Sequence, residues 1–271
     1  MIDTKNLSRN SPIGIFDSGV GGLTVFKEVK KMLPSESIIY LGDTARLPYG
    51  NKSKKTVIRF AIENILFLLR KKVKIVIIAC NTSSSLALDY LKKIFSLPII
   101  GVIEPAVKKA IKVSLNKKIG VIGTKSTIKS GIYKRLILKE EKKAEVYSLS
   151  CPLFVPLVEE GFLRGEITQA IVNFYLRRLK GRIDTLILGC THYPLLKKEI
   201  SSYLKGVKLV DSASSVVEET KLLLERWNLL SNKNTPFYRF YVTDDQDGFF
   251  KTAKLFLKKG IKRKQVHLVN V

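Results

Sequence analysis

Short apolar runs rich in β-branched residues alternate along this chain with longer stretches of helical periodicity. Apolar runs of this length are typical of strands that are buried on both faces, as in parallel sheets flanked by helices. We therefore predict an α/β fold with mainly parallel sheets. The predicted strands cover residues 13–16, 37–41, 73–79, 99–102, 118–122, 144–148, 185–188 and 208–210.

The stretches between these runs predict amphipathic helices. Residues 56–71 place Val57, Ala61 and Leu68 on one face, and residues 166–179 form a second stretch of similar length. Helices of this length between buried strands are what a parallel sheet needs for its crossover connections.

Two pairs of segments repeat one another weakly. Residues 73–82 (VKIVIIACNT) resemble residues 184–192 (DTLILGCTH), and their cysteines are 110 residues apart. A second echo relates residues 16–19 (FDSG) to residues 210–213 (VDSA). No Pro-, Gly- or Ser-rich linker separates two halves of the chain. We therefore expect two pseudo-symmetric α/β domains, with the active site in the cleft between them.

The charge of the chain bears on its partners. Basic residues outnumber acidic ones by 48 to 23, a net charge of +25 that suits a nucleic-acid partner. However, 36 of the basic residues are lysines scattered along the chain, without the interleaved aromatic residues that a stacking surface requires. From Lys251 onward the chain has seven basic residues and no acidic one, which we interpret as a solvated, basic final helix. Nucleic-acid binding is therefore not predicted as the main function, although the positive field would help to collect an anionic small substrate.

The remaining composition favours a globular cytoplasmic protein. Hydrophobic residues make up 45% and charged residues 26% of the chain, as in ordinary globular domains. No apolar run approaches the roughly 20 residues of a membrane-spanning helix, and the first 16 residues lack the apolar segment of a secretory signal. Three cysteines cannot form a disulfide framework, which fits a reducing compartment. We expect no membrane partner.

Cys80 and Cys190 each end a predicted strand and precede a polar turn. The carboxyl ends of parallel strands form the ligand crevice of such folds, and the helix N-termini that follow favour a thiolate. Two thiols on opposed domains suit the removal of a proton from one face of an amino acid Cα and its return to the other face. Because His192 lies two residues from Cys190, spacing also allows a hydrolase with a cysteine nucleophile and a histidine base. A zinc site is not expected, since the chain has no C-x-x-C pair and two histidines.

Other motifs have structural interpretations. The glycines of residues 19–22 follow a strand but match neither the Walker pattern nor G-x-G-x-x-G, and we interpret them as a tight turn that lets backbone approach a substrate. Cys151 is interpreted as structural, and His267 as structural or exposed. No lysine is marked as a Schiff-base residue for pyridoxal phosphate. Paired cysteines make a cofactor unnecessary, so none is predicted.

Several segments together resemble the glutamate racemases, cofactor-independent two-cysteine enzymes of the aspartate/glutamate racemase family. The cysteine segments alone would also admit aspartate and hydantoin racemases, but the Asp-Ser-Gly-Val-Gly-Gly and Pro-Tyr-Gly segments point to the glutamate enzymes. The resemblance extends from residue 13 to about residue 215. The matching segments are 15–24 (IFDSGVGGLT), 41–50 (LGDTARLPYG), 79–83 (ACNTS), 154–161 (FVPLVEEG) and 189–194 (GCTHYP).

The resemblance implies a role for each matching residue. Cys80 and Cys190 would be the proton donors and acceptors, assisted by Asp17, His192 and Glu159; we read Glu159 as the start of a helix, where a solvated or capping role is the alternative. Hydroxyl groups, an amide and backbone N–H groups can hold the carboxylates of glutamate. The substrate-binding residues would be Asp17, Ser18, Tyr49, Gly50, Asn81, Thr82, Thr191 and His192.

The resemblance also implies the organisation and the context of the protein. The second domain, residues 100–211, would be inserted into a first domain made of residues 1–99 and 212–271. The reaction would interconvert L- and D-glutamate without a metal or cofactor and supply D-glutamate for peptidoglycan. We expect a homodimer. Racemisation of another acidic amino acid such as aspartate is the alternative, and binding to nucleic acid or gyrase is a further activity that we do not predict.

Overall fold

The computed structural model describes residues 8–258 and 260–271. Within these ranges ten strands form two separate sheets, and every strand pair is parallel. The predicted α/β fold with parallel sheets is confirmed. The strands are β1 (Ile13–Asp17), β2 (Ile38–Gly42), β3 (Ile75–Ile78), β4 (Ile99–Gly101), β5 (Lys118–Gly123), β6 (Glu145–Ser150), β7 (Thr185–Gly189), β8 (Lys208–Asp211), β9 (Tyr238–Val242) and β10 (Val266–Leu268).

Helices connect the strands and cover the sheets. The two predicted amphipathic stretches are α2 and α9, and each buries the apolar face that its sequence contains. The helices are α1 (Leu23–Met32), α2 (Lys54–Arg70), α3 (Asn81–Leu86), α4 (Leu88–Ile94), α5 (Ile103–Val113), α6 (Lys125–Lys129), α7 (Ile132–Glu140), α8 (Phe154–Glu159), α9 (Glu166–Leu176), α10 (Lys197–Tyr203), α11 (Ser212–Arg226) and α12 (Gln246–Leu257).

The two sheets share one strand order. The larger sheet runs β10-β9-β2-β1-β3-β4 and the smaller one runs β6-β5-β7-β8. The segment β2-β1-β3-β4 therefore has the same topology as β6-β5-β7-β8. Strand β3 corresponds to β7, so the echo between the two cysteine segments reflects equivalent strands. The echo between residues 16–19 and 210–213 is misleading, because β1 corresponds to β5 and not to β8.

The strand order also fixes where a ligand can bind. The chain leaves β1 toward β2 on one side and then returns to β3 on the other side, and the second sheet repeats this reversal between β5 and β7. In open α/β sheets the loops at such a reversal leave a crevice at the carboxyl ends of the strands. The loops after β1, β3, β5 and β7 are therefore the expected walls of the site.

The predicted domain boundary near residue 100 falls within β4, which pairs with β3 of the larger sheet. The other predicted boundary falls between β8 and α11, a helix that packs against α1, α5 and β4. The division into residues 1–99 with 212–271 and residues 100–211 stays a prediction, and residues 1–7 lie outside the described ranges.

The tail of the chain is not the basic helix that we expected. Helix α12 ends at Leu257, and Lys258 has a φ of 53°, in the left-handed region that stops a helix. After a short 3-10 turn, β10 pairs with β9 at the edge of the larger sheet and buries Val266. Lys259, part of the predicted basic segment, lies outside the described residues. The burial of Val266 explains why the chain is extended here.

A buried ion pair ties several segments to the base of the larger sheet. Lys74, which precedes β3, has a fully buried side chain whose Nζ lies 2.6 Å from Glu36 Oε2. The same Nζ donates hydrogen bonds of 2.7 Å to the carbonyl oxygens of Arg9 and Leu229. Glu36 also accepts a hydrogen bond from the backbone N–H of Ser231. The pair therefore joins four separate parts of the chain.

No helix in residues 8–258 and 260–271 combines the length and the apolar character that crossing a membrane would require.

Candidate active site

A cavity of about 290 Å³ opens between the carboxyl ends of the two sheets. This volume lies at the small end of the range for ligand pockets, so the cavity suits a small molecule. Apart from Asp17, all the predicted site residues line it: Ser18, Tyr49, Gly50, Cys80, Asn81, Thr82, Glu159, Cys190, Thr191 and His192.

Cys80 caps the N-terminus of α3 and faces the cavity from the larger sheet. Its Sγ accepts a hydrogen bond of 3.5 Å from the backbone N–H of Ser83 and lies 3.7 Å from Ser18 Oγ. Burial, together with the negative charge of Asp17, raises the pKa of the Cys80 thiol to about 11. Our expectation that the helix N-terminus favours a thiolate is therefore wrong for Cys80, because the loss of solvent outweighs the donors at the helix start.

Asp17 lies behind the cavity wall and is fully buried. Its carboxylate accepts hydrogen bonds from the backbone N–H of Gly19 at 3.0 Å and from Thr191 Oγ1 at 3.3 Å. Burial raises the pKa of Asp17, although the positive charge of His192 and these donors oppose the rise. Asp17 thus links the loop after β1 to the loop after β7. Because Asp17 is not among the residues that line the cavity, its position does not support direct contact between its carboxylate and a substrate.

Cys190 has a different environment, formed by a chain of three side chains. Its Sγ lies 3.8 Å from His192 Nδ1, and His192 Nε2 lies 3.0 Å from Glu159 Oε1. Burial alone would lower the pKa of His192, but its hydrogen bonds and charge interactions with Cys190 and Glu159 raise it to about 10. This raised pKa favours the charged form of the ring, which lies 3.8 Å from the Cys190 sulfur.

Glu159 is the last residue of α8, and not the start of a helix as we expected. The helix begins at Phe154, because the apolar residues Phe154, Leu157 and Val158 pack inward one turn earlier. The end of α8 carries Glu159 to the edge of the cavity, where it contacts His192 rather than capping the helix.

Asn81, the first residue of α3, has one satisfied and one free polar group. Its Oδ1 accepts hydrogen bonds from Tyr133 Oη at 2.6 Å and from Ser212 Oγ at 3.3 Å. Its Nδ2 is buried without a hydrogen-bond partner among the residues that the structure describes. A buried N–H donor without a partner is costly, so this amide is suited to a ligand acceptor such as a carboxylate.

Three threonine hydroxyl groups meet where the two sheets face each other. Thr82 Oγ1 lies 3.0 Å from Thr124 Oγ1 and 3.3 Å from Thr127 Oγ1. Thr124 caps α6 and lines the cavity, although it is not among the site residues predicted from the sequence. The available signal was its position directly after β5, which is equivalent to the position of Asp17 and Ser18 at the end of β1.

Tyr49 lines the cavity, but its hydroxyl group is bonded to residues behind the cavity wall. Tyr49 Oη donates to Asp43 and accepts a hydrogen bond of 3.2 Å from Asn64 Nδ2. Arg46 binds the same Asp43 carboxylate and stacks on Phe60, with 4.3 Å between its guanidinium carbon and the ring centroid. This network holds the loop that places Gly50 beside Thr124.

Two glycines allow the walls of the cavity to approach closely. A Cβ atom at Gly21 would lie 2.3 Å from Thr191 Oγ1 and 2.5 Å from the ring of His192. A Cβ atom at Gly50 would lie 2.9 Å from Thr124 Cβ. Both contacts join the loops of one sheet to those of the other, so the close approach at Gly21 is to the opposite wall of the cavity. Approach of the backbone of residues 19–22 to a substrate stays a prediction.

The remaining candidates have no place in the cavity lining. Cys151 is fully buried, and its carbonyl oxygen accepts a hydrogen bond of 2.9 Å from Tyr193 Oη. His267 lies exposed on β10. Over residues 8–258 and 260–271, no group of three or more His, Cys, Asp and Glu side chains is arranged to hold a metal ion.

Comparisons with known proteins agree on one family. A family model described as "Asp/Glu/Hydantoin racemase" matches residues 14–220. The glutamate racemase of Aquifex pyrophilus is 53% identical over 245 residues, which cover 90% of this chain and 93% of that protein.

Solved structures give the same result. The glutamate racemase isoform RacE1 of Bacillus anthracis has a TM-score of 0.93 at 38% identity, with 97% of this chain and 98% of that chain covered. The glutamate racemase of Francisella tularensis in complex with D-glutamate has a TM-score of 0.89 at 42% identity, with the same coverage.

Proposed function

The chain belongs to the Asp/Glu/hydantoin racemase family of isomerases, and we propose that it interconverts L- and D-glutamate by two-base proton transfer between Cys80 and Cys190. The observation that carries the proposal is the position of the two thiols. They line one cavity from equivalent strands, β3 and β7, of two different sheets. A substrate between them exposes the opposite faces of its Cα to different thiols.

The reaction removes one proton from one face of the substrate Cα and adds one proton to the opposite face. A thiolate on one side removes the Cα proton and becomes a thiol, and the thiol on the other side donates its proton to the opposite face of the carbanion. In the free protein at neutral pH, the raised pKa of Cys80 keeps this residue a thiol, and the raised pKa of His192 favours a charged ring beside the Cys190 sulfur. One turnover exchanges the protonation states of the two cysteines. The states after the turnover are those that the reverse reaction needs.

Residues around the thiols would bind glutamate and support the proton transfers. The free Nδ2 of Asn81 and the hydroxyl groups of Ser18 and Thr82 supply donors for two carboxylates. Thr191, whose hydroxyl group donates to Asp17, would contribute its backbone N–H. The backbone of residues 49–50 contributes further polar groups. Asp17 would support the Cys80 side by holding the loop that carries Ser18, and Glu159 would support the Cys190 side through His192.

The decisive experiment removes each thiol in turn. We expect Cys80→Ala and Cys190→Ala each to abolish racemisation in both directions, because each retains a base on one face only. Cys151→Ala is the matched control, since Cys151 lies outside the cavity lining; it should retain racemase activity. Circular dichroism measures the racemisation of each variant. Near-normal racemisation by Cys80→Ala or by Cys190→Ala would overturn the two-base mechanism.

Deuterium incorporation distinguishes two bases from one. When L-glutamate is converted in deuterated water, we expect D-glutamate to carry deuterium at Cα from its first appearance, since the donating thiol has already exchanged with solvent. A single base acting on both faces would return much of the original proton. Mass spectrometry of the early product decides between them.

Substrate choice tests glutamate against aspartate. A shorter side chain would leave buried donors of the site without an acceptor, and such mismatches reduce kcat/KM by orders of magnitude. We therefore expect strong preference for glutamate without added metal or cofactor. Comparable racemisation of aspartate would assign the chain to that substrate instead.

The proposal extends to the context of the reaction. The product D-glutamate would serve peptidoglycan synthesis, and a cytoplasmic location would keep the free thiols reduced. A homodimer is supported by the exposed apolar side chains of Ile167 and Phe174, seven residues apart on α9. Light scattering would test this state by giving the molar mass in solution.

A further inference from the structure

The orientation of the Asn81 carboxamide decides what this side chain offers to a substrate. Its oxygen accepts hydrogen bonds and its nitrogen donates them, so a rotation by half a turn replaces a donor by an acceptor. A donor attracts a carboxylate, and a carbonyl oxygen repels it. The residues that fix the orientation of the Asn81 amide therefore affect glutamate binding. This inference rests on the proposed function, because it takes glutamate as the substrate.

We propose that Tyr133 is a positioning residue that holds the NH₂ group of Asn81 toward the substrate. Tyr133 lies on α7, is 2% exposed and does not line the cavity. Its Oη donates to Asn81 Oδ1 at 2.6 Å. Ser212 Oγ lies 3.3 Å from the same oxygen, and it has the Leu188 carbonyl oxygen as a second acceptor at 3.2 Å. Tyr133 thus makes the shorter hydrogen bond to the amide.

The rotated amide is unfavourable on both sides. Toward Tyr133, the NH₂ group would be a donor and not an acceptor, so the Tyr133 hydroxyl group would lose the acceptor that it has at 2.6 Å. Toward the cavity, a carbonyl oxygen would face the substrate carboxylate. The Tyr133 ring is held independently of this hydrogen bond by packing: a Cβ atom at Gly189, at the end of β7, would lie 3.2 Å from its Cε2. Removal of the hydroxyl group should therefore leave the ring in place.

The test is Tyr133→Phe, which removes only the hydroxyl group. We expect the Kd of D-glutamate, measured by calorimetry, and the KM to rise about tenfold. The kcat should change by less than about twofold, because the carboxylate is charged in both the ground state and the transition state. Ser212→Ala should raise Kd in the same direction by a smaller factor. Tyr147→Phe is the matched control: its hydroxyl donates to Glu145 on the exposed surface, and its loss should change neither constant.

A double-mutant cycle shows whether Tyr133 acts through Asn81. In an Asn81→Ala background, Tyr133→Phe should have no further effect on Kd or on kcat/KM. A further tenfold loss in that background, or an unchanged Kd in the single variant, would overturn the proposal. If the wild-type protein racemises glutamate and Tyr133→Phe has the same Kd and KM as the wild type, this inference alone is refuted. If the wild-type protein has no racemase activity, the proposed function is refuted.

Discussion

His192 lies between two acidic groups, and its charge depends on both of them. The carboxylate of Glu159 raises the pKa of the His192 ring, so Glu159→Gln should lower this pKa from about 10. Because the ring then loses its proton at lower pH, the alkaline decline of kcat/KM should move toward neutral pH. The ring signals of His192 in NMR titrations should show the same displacement.

The matched control for this substitution is the next residue along the chain. Glu160→Gln removes the same charge from an exposed side chain without a hydrogen bond to the ring. The second histidine, exposed His267, is an internal reference in the same spectra. An equal displacement of the His192 titration in both variants would mean that net charge, and not the contact at 3.0 Å, sets the pKa.

At the scale of single residues, the sequence predicts which side chains line the site better than it predicts their pKa values. Ser18, Asn81 and Thr191 were predicted to line the site from the resemblance to glutamate racemases. The topology explains why they do so, because each follows a buried strand and such positions come together. Thr124 follows β5 in the same way, but no cysteine marks that strand end. The raised pKa of Cys80 could not be predicted, because it depends on burial and on the neighbouring Asp17, which only the folded structure defines.

At the scale of elements, the ion pair between Lys74 and Glu36 joins the start of β3 to the segment before β2. Lys74→Met should lower the free energy of unfolding by about 3–5 kcal/mol, because it leaves the Glu36 carboxylate buried without its counter-ion. Two backbone carbonyl groups also lose their donor. Urea unfolding followed by fluorescence of the single tryptophan measures the change.

An exposed pair on α11 supplies the comparison. Lys221→Met breaks a contact of 3.8 Å with Glu225, where both side chains are nearly half exposed, and should cost less than about 0.5 kcal/mol. Similar small losses in both variants would contradict the structural role that we assign to Lys74.

The elements themselves could largely be predicted from periodicity. All eight predicted strands are present. Most of them are apolar runs bounded by polar or glycine residues, whereas β6 contains Glu145 and is only partly buried. Strands β9 and β10 were missed for a physical reason. Arg239 interrupts the apolar pattern of β9, and β10 has three residues within a basic segment. Both are strands because β9 pairs with β2, and β10 pairs with β9 at the edge of the larger sheet.

At the scale of the whole molecule, the contact at Gly21 sets how closely the loops of the two sheets approach. In Gly21→Ala the new methyl group would overlap Thr191 Oγ1 and the His192 ring, so these residues must move away from the loop after β1. A displacement of about 1 Å at reacting groups costs about 100-fold in rate, and we expect kcat/KM to fall by this factor. Steady-state kinetics in both directions measures it.

Gly19→Ala, in the same loop, is the control. A Cβ atom there would meet only Leu47 Cδ2, at 3.4 Å, which is an ordinary contact. The loss of activity should therefore be much smaller than in Gly21→Ala. If the two variants lose activity equally, flexibility of the loop matters more than the approach of the two walls.

The unlike surroundings of the two thiols have a thermodynamic limit. L- and D-glutamate are mirror images with the same free energy in solution, so their equilibrium constant is unity. For a single enzyme the values of kcat/KM in the two directions must then be equal, whatever lies beside each sulfur. Asp17 on one side and His192 on the other can make kcat and KM differ between the enantiomers. The two constants must then change by the same factor, so that their ratio stays equal for both enantiomers. A substitution that disturbs one thiol alone must therefore slow both directions by the same factor in kcat/KM.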